Sequence, residues 1–253
     1  MRIFFFFFLL LSSLSFAQKQ AKVDSLLVSD ASAFFVDDYR NFYFYKGKDF
    51  SLVKVDSLGK QKGKMLLTVP YKIQNVQNSL SIPLFSENAQ EVLFVDQNLN
   101  SINKLTFSDK FWFVKNVYVE DLQQIWILEE SSKRLIQYNY KTNSVLNSYA
   151  VHFSFEGLKN MLVCNGMIYL LSDTLFEVFT LKGTSVFSKN VDKPLKLYRQ
   201  NDTIFIISEN QIFSFDAQKQ LQTVFVRENS KFVDKNSTSY FELRDGKVYI
   251  YNL

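Results

Sequence analysis

The chain has 253 residues, of which 47% are hydrophobic and 17% aromatic, with one cysteine, one histidine and a formal net charge of +4. That charge is too mild for a nucleic-acid-binding surface or for attachment to a strongly anionic membrane. A single cysteine excludes an internal disulfide framework, and the length is ample for a large domain with its own core.

The chain opens MRIFFFFFLLLSSLSFA. Arg2 precedes an apolar run from Ile3 to Leu11, and Ser15 and Ala17 place small residues at −3 and −1 of a cut after Ala17. This is the pattern of a secretory signal peptide, and the run is too short to span a bilayer. It predicts export, to the periplasm, the outer-membrane surface or the medium. Residues 18–253 are then expected to form one domain. No later stretch reaches 18 consecutive apolar residues, so no second membrane segment is predicted. No cysteine lies near the cut, which argues against lipid attachment there.

Beyond the leader the chain repeats. Apolar runs end on a polar residue at Asp56 (SLVKVD), Asp96 (EVLFVD), Asn139 (RLIQYN), Thr180 (LFEVFT), Asp216 (QIFSFD) and Asn252 (KVYIYN), in steps of 40, 43, 41, 36 and 36 residues. Each follows a second apolar run across a short polar turn: Asn41–Tyr45, Ser81–Phe85, Gln124–Leu128, Met167–Leu171, Thr203–Ile207 and Ser239–Leu243. Asp245-Gly246 joins the last pair and is the dipeptide of a tight hairpin. The first five units continue into a further strand-like run (KMLLTVP, INKLTF, SVLNSYAV, TSVFSK, QTVFVRE), and the sixth stops at Leu253. The unmatched run Lys22–Val28 is expected to complete the last unit and remove an exposed edge.

A period of about 40 residues is that of a four-stranded propeller blade. The expectation is an all-β fold, a β-propeller of six four-stranded blades closed by pairing of the N-terminal strand with the last blade. Middle strands covered on both faces by neighbouring blades lose in/out alternation, which accounts for runs such as TIFII. A two-sheet sandwich is the competing all-β arrangement, and the regular spacing favours the propeller. These strand-then-Asp/Asn units resemble the blades of secreted bacterial six-bladed propellers, the broad superfamily of NHL-type and quinoprotein-like repeats. The resemblance covers Phe34 to Leu253 and is generic, since the docking tryptophans of quinoprotein blades and the WD dipeptide are missing. It implies a scaffold on which enzymes, receptors and binding modules all occur.

Motifs for chemistry are sparse. The recurring Asp/Asn residues read as turn caps, whose side chains bond the backbone two residues on. Asp96-Gln97-Asn98-Leu99-Asn100 begins like a calcium loop but has Ser101 and Phe107 where glycine and glutamate belong. Lys60, Lys62 and Lys64 read as a solvated hairpin. His152 stands alone, which excludes a His/Cys metal cluster, and no GxSxG or phosphate-binding glycine motif is present. Some six-bladed propellers hydrolyse lactones with calcium held near the channel; carboxylates for such a role exist at Glu87, Glu129, Glu130, Asp173 and Glu209. Four Asp-Ser/Thr-Leu/Ile triplets, beginning at Asp24, Asp56, Asp173 and Asp202, are O-glycosylation-like and equally turn starts. Phe111–Glu120 (FWFVKNVYVE) is the densest aromatic stretch, read as core filling over contact surface, and Cys164 reads as a buried small hydrophobe.

No catalytic, cofactor-binding or metal residue is singled out. The function expected is a non-catalytic exported scaffold, a monomer binding another envelope protein and no nucleic acid. A metal-dependent hydrolase or lyase with its site in the central channel, or a glycan or small-ligand binder, is the alternative.

Overall fold

The computed structural model describes residues 19–253; the expected signal segment, residues 1–17, lies outside them. The chain begins with β1 (Lys19–Lys22) and a short helix α1 (Ser25–Ser29). Blade 1 is β2 (Ala31–Val36), β3 (Phe42–Lys46), β4 (Ser51–Val55) and β5 (Gln61–Leu66). Blade 2 is β6 (Lys72–Ile73), β7 (Ile82–Ser86), β8 (Glu91–Val95) and β9 (Ser101–Thr106). Blade 3 is β10 (Val114–Val119), β11 (Gln124–Glu129), β12 (Arg134–Asn139) and β13 (Ser144–Ala150). Blade 4 is β14 (Asn160–Cys164), β15 (Met167–Leu171), β16 (Leu175–Thr180) and β17 (Ser185–Asn190). Blade 5 is β18 (Pro194–Gln200), β19 (Thr203–Ser208), β20 (Gln211–Phe215) and β21 (Leu221–Val226). Blade 6 is β22 (Phe232–Lys235), β23 (Ser239–Arg244) and β24 (Lys247–Asn252), completed on its outer edge by β1. All six sheets are four-stranded and antiparallel, five of them meanders and the sixth completed by β1, so the molecule is a six-bladed β-propeller.

The expected closing strand is corrected in position. Lys19–Lys22, not Lys22–Val28, pairs with β24, with Lys22 opposite Lys247 and Val23 N donating to Gly246 O. Past that point β24 has turned away at Asp245-Gly246, so residues 24–28 have no strand to bond. They satisfy their backbone locally instead, in a helix whose Val28 N donates to Asp24 O and whose Val28 side chain packs on the seam.

The apolar runs are explained by parity. Along β3, Phe42 and Phe44 join the cluster shared with blade 6, while Tyr43 and Tyr45 join the cluster shared with blade 2. Along β19, Ile204 and Ile206 face blade 4 and Ile207 faces blade 6. Alternation therefore persists, but each parity meets a different neighbouring blade, so both must be apolar. Aromatic rings fill the wedge between blades, as in the stacked Phe225–Tyr240 pair at 4.8 Å between blades 5 and 6. The turns work largely without glycine. The hairpin Asp245-Gly246 has φ of 50° and 70°, the two positive values of a type I′ turn.

Ring closure rests on more than β1. Asp234 on β22 accepts from Val36 N (2.8 Å) and pairs with Lys196 Nζ of blade 5 (2.9 Å), which also donates to Phe34 O of blade 1 (2.7 Å). At the ends of these strands Asn236 Nδ2 donates to Asp37 O and Ser237 N to Asp38 Oδ1. One buried ion pair thus ties blades 5, 6 and 1 together.

Candidate functional site

The inner strands β2, β6, β10, β14, β18 and β22 line a central channel. We call the rim where they start the upper rim and the rim where they end the lower rim. β6 is only two residues long because the chain leaves the blade after Gln74, whose N–H still donates to Pro83 O, and crosses the channel. Gln77 Nε2 reaches Arg199 O on the opposite blade at 2.7 Å, so loop 74–81 plugs the lower end. Between plug and seam a void of about 10 Å³ remains, lined by Phe35, Gln74, Val76, Lys196, Tyr198 and Asp234 among others. Gln74 Nε2 and Asp234 Oδ1 are buried without a protein partner among the described residues.

The charges at this depth are displaced by desolvation. Burial pushes the Asp234 carboxyl up and the Lys196 ammonium down, each partly restored by the other. Lys235, 1% exposed, is pushed down to about 8 by burial, against the pull of Asp234 and Asp38. Its ammonium bonds Gln200 Oε1 and Asn236 O and lies 4.3 Å and 4.1 Å from the Tyr198 and Phe205 ring centres.

Two cavities flank the plug. The upper mouth holds about 240 Å³ between blades 1, 2, 4 and 5. The lower mouth holds about 350 Å³ lined by Asn75, Gln77, Tyr118, Glu120 and Arg199. Through Asn78, Ser81 and Leu122 the lower cavity continues into an open groove of about 680 Å³ between blades 2 and 3. Leu80, Ile102 and Leu122, at 68%, 51% and 57% exposure, form an apolar shelf there beside Phe94 and Tyr140.

The recurring polar residues sit apart from both mouths. Asp56 Oδ1 accepts from Leu58 N and Lys60 N, Asp96 Oδ1 from Asn98 N and Asn100 N, Asn139 Oδ1 from Lys141 N and Thr142 N, and Asp216 Oδ1 from Gln218 N. These four are turn caps on the outer hairpins; Asn252, expected to be a fifth, instead belongs to β24, opposite Ser239. The bond from Asn100 N holds the Asp96 carboxyl below its usual range, an anion already satisfied by backbone. Lys62 and Lys64 lie on β5 rather than in the turn, exposed where that outer edge faces water, and Lys62 pairs with Asp56 at 3.2 Å.

The carboxylates Glu87, Glu129, Glu130, Asp173 and Glu209 occupy the same turn in successive blades, on the upper rim. They do not converge. Glu87 pairs with Lys115 (2.9 Å), Asp173 with Lys159 (3.4 Å) and Glu209 with Lys193 (2.9 Å), while Glu129 accepts from Trp112 N. Among the described residues no three His, Cys, Asp or Glu side chains gather as a cation site. His152 is exposed on the connection into blade 4, and Cys164 is buried, its thiol pushed up by burial against Arg199. The O-glycosylation-like triplets fall at turns or element starts.

The aromatic stretch divides. Phe111 packs on Phe107 and Tyr138, and Val114 and Val117 are core residues of β10. Trp112 and Phe113, at 75% and 42% exposure, stand on the upper rim instead, because this connection climbs over the blade edge before β10 begins.

No protein-family model and no curated protein sequence matches the chain. Solved structures match by fold. Virginiamycin B lyase from Staphylococcus aureus superposes with a TM-score of 0.56 at 10% identity, over 94% of this chain and 100% of that one. PorZ, a surface component of the type-IX secretion system of Porphyromonas gingivalis, gives 0.53 at 13% identity, over 88% of this chain and 32% of that one. The chain shares their propeller fold. BamB from Moraxella catarrhalis gives 0.47 at 12% identity, over 87% of this chain and 84% of that one. At such identities the likeness is one of fold. Among the described residues no helix is long and apolar enough to cross a membrane.

Proposed function

We propose that the chain is an exported, non-catalytic propeller that binds another protein of the cell envelope along the lower-rim groove between blades 2 and 3. The observation that carries this reading is the shelf of Leu80, Ile102 and Leu122, large apolar side chains gathered in one open groove rather than scattered singly. The amides of Asn78, Asn103 and Gln123 line the same groove. Apolar anchors flanked by amides suit an extended polypeptide segment, whose side chains fill the shelf and whose backbone bonds the amides. The signal-like pattern of residues 1–17 supports export, and the fold shared with a secretion-system surface component is compatible with an envelope role.

The test is site-specific photo-cross-linking in the native cell. A photoreactive residue at Ile102 or Leu122 should yield one shared protein adduct from the envelope fraction, and the same residue at exposed Val145 on β13 should not. No adduct, or equal adducts at all three positions, overturns the groove. Purified protein that turns over a substrate without a partner overturns the non-catalytic reading. Mature protein that retains residues 1–17 in the cytoplasm overturns export.

A further inference from the structure

Where the groove is walled largely by exposed side chains, the upper mouth of the channel is walled largely by buried ones. Its walls are Phe35, Tyr45, Tyr71 and Ile73, each at least nine-tenths buried, with Leu195 closing one side. The Lys196 ammonium lies 3.8 Å from the Phe35 ring centre and is spent on Asp234 and Phe34 O, so the floor presents a neutralised pair. Three polar side chains, Asn160, Lys72 and Lys159, remain for a ligand. Asn160, at the start of β14, is 7% exposed and lines the cavity.

Lys72 and Lys159 stand at the lip. Lys72 Nζ is 3.8 Å from Glu87, beyond hydrogen-bond reach. Lys159 Nζ donates to Pro194 O at 3.1 Å and is 3.4 Å from Asp173, which is itself 69% exposed. Exposed pairs of this kind are worth about 1 kcal/mol or less, so an arriving carboxylate can displace either one cheaply. Glu91, behind the Tyr71 wall, is held by Tyr71 Oη and by Lys104.

We infer that the upper-mouth cavity binds a small aromatic carboxylate, its ring between Phe35, Tyr45, Tyr71 and Ile73 and its acid group between Lys72, Lys159 and Asn160. The size agrees. A cavity of roughly 150 Å³ holds benzene, and about 240 Å³ leaves room for a ring with a short acid arm. A sugar would leave most of its hydroxyls facing apolar walls, and a phosphate alone would leave those walls unfilled. The site lies across the plug from the lower-rim groove and does not depend on it.

The test is calorimetric titration of the mature chain with phenylacetate, and with phenylacetamide as the uncharged match. Phenylacetate should bind saturably at one per chain, at least tenfold tighter than the amide. The double variant Lys72→Gln/Lys159→Gln, which changes exposed side chains and leaves the core intact, should abolish that preference while leaving amide binding unchanged. Ile73→Trp, which fills the cavity, should remove binding of both, with an unaltered circular dichroism spectrum showing that the variant folds. No saturable binding of phenylacetate, equal binding of acid and amide, or a preference that survives in the lysine double variant overturns the assignment.

Discussion

The seam pair Lys196–Asp234 gives a quantitative test of how the ring is held. Lys196→Met strands a buried carboxylate whose remaining protein bond is from backbone such as Val36 N. Asp234→Leu strands an ammonium whose remaining partners are Phe34 O and the Phe35 ring. Removing one member of a buried pair costs about 3–5 kcal/mol, because the other is left charged in a low-dielectric site. For a domain of this size each kcal/mol lowers Tm by roughly 2–4 °C, so each single variant should lose about 6–20 °C. The double variant removes both charges and leaves only Val36 N and Phe34 O to be satisfied by water or relaxation, at about 1–3 kcal/mol each. It should be no less stable than the worse single variant, which makes the coupling in the cycle at least about 3 kcal/mol, the loss of the milder single variant. Urea unfolding followed by circular dichroism measures all four corners. Single losses below about 1 kcal/mol, or a double variant additive within about 0.5 kcal/mol, would show that the pair does not hold blades 5, 6 and 1 together.

Further outcomes follow from other parts of the ring. Lys235 has a folded pKa of about 8 against about 10.4 unfolded; the unfolded chain therefore binds the extra proton between those values, and stability should rise with pH there. Relative to Lys235→Met, the wild type should gain up to about 1.4 kcal/mol per pH unit from pH 8 to 10. A flat difference in urea unfolding would refute the buried placement. Gly59 has φ +81°, and a Cβ there would lie 1.9 Å from the Lys22 carbonyl oxygen, so the turn of blade 1 locks the end of β1. Gly59→Ala should cost upwards of about 1–2 kcal/mol for the backbone conformation alone and speed hydrogen exchange of residues 19–23; unchanged exchange there would refute the lock. Since Asp96 is already saturated by the Asn98 and Asn100 amides, calcium should not stabilise the fold through it. An ion bound at 100 times its dissociation constant adds about 2.7 kcal/mol, and a calcium-dependent midpoint abolished by Asp96→Ala would overturn the turn-cap assignment.

What the sequence made legible is what repeats. Phe42–Tyr45, Thr203–Ile207 and their counterparts are middle strands, where both parities meet a neighbouring blade, and Asp56, Asp96, Asn139 and Asp216 cap equivalent turns. The inner strands were less legible. They line a channel rather than an interface, and they merge with their surroundings: β10 hides within FWFVKNVYVE, β14 runs through Asn165-Gly166 into β15, and β6 is two residues. The residues of the two mouths were not legible at all, because ring closure brings together parts of the chain far apart in sequence. Lys196 meets Phe34 across 162 positions, and Gln77 meets Arg199 across 122.

One signal for the plug was nevertheless present. Gln74-Asn75-Val76-Gln77-Asn78 is an amide-rich segment lying between KMLLTVP and the next strand, where the other units place their inner strand. A segment that crosses a channel cannot use a ladder partner, so its side chains must do the bonding that a strand's backbone does elsewhere. Amides, which donate and accept without carrying charge into the core, are suited to that task. Gln77 does this across to Arg199 O, whereas Gln74 is left with an unbonded Nε2 over the void beside Asp234. The interruption of the repeat at blade 2 is therefore what divides the channel into two mouths, one apolar with lysines above and one amide-lined with an apolar shelf below.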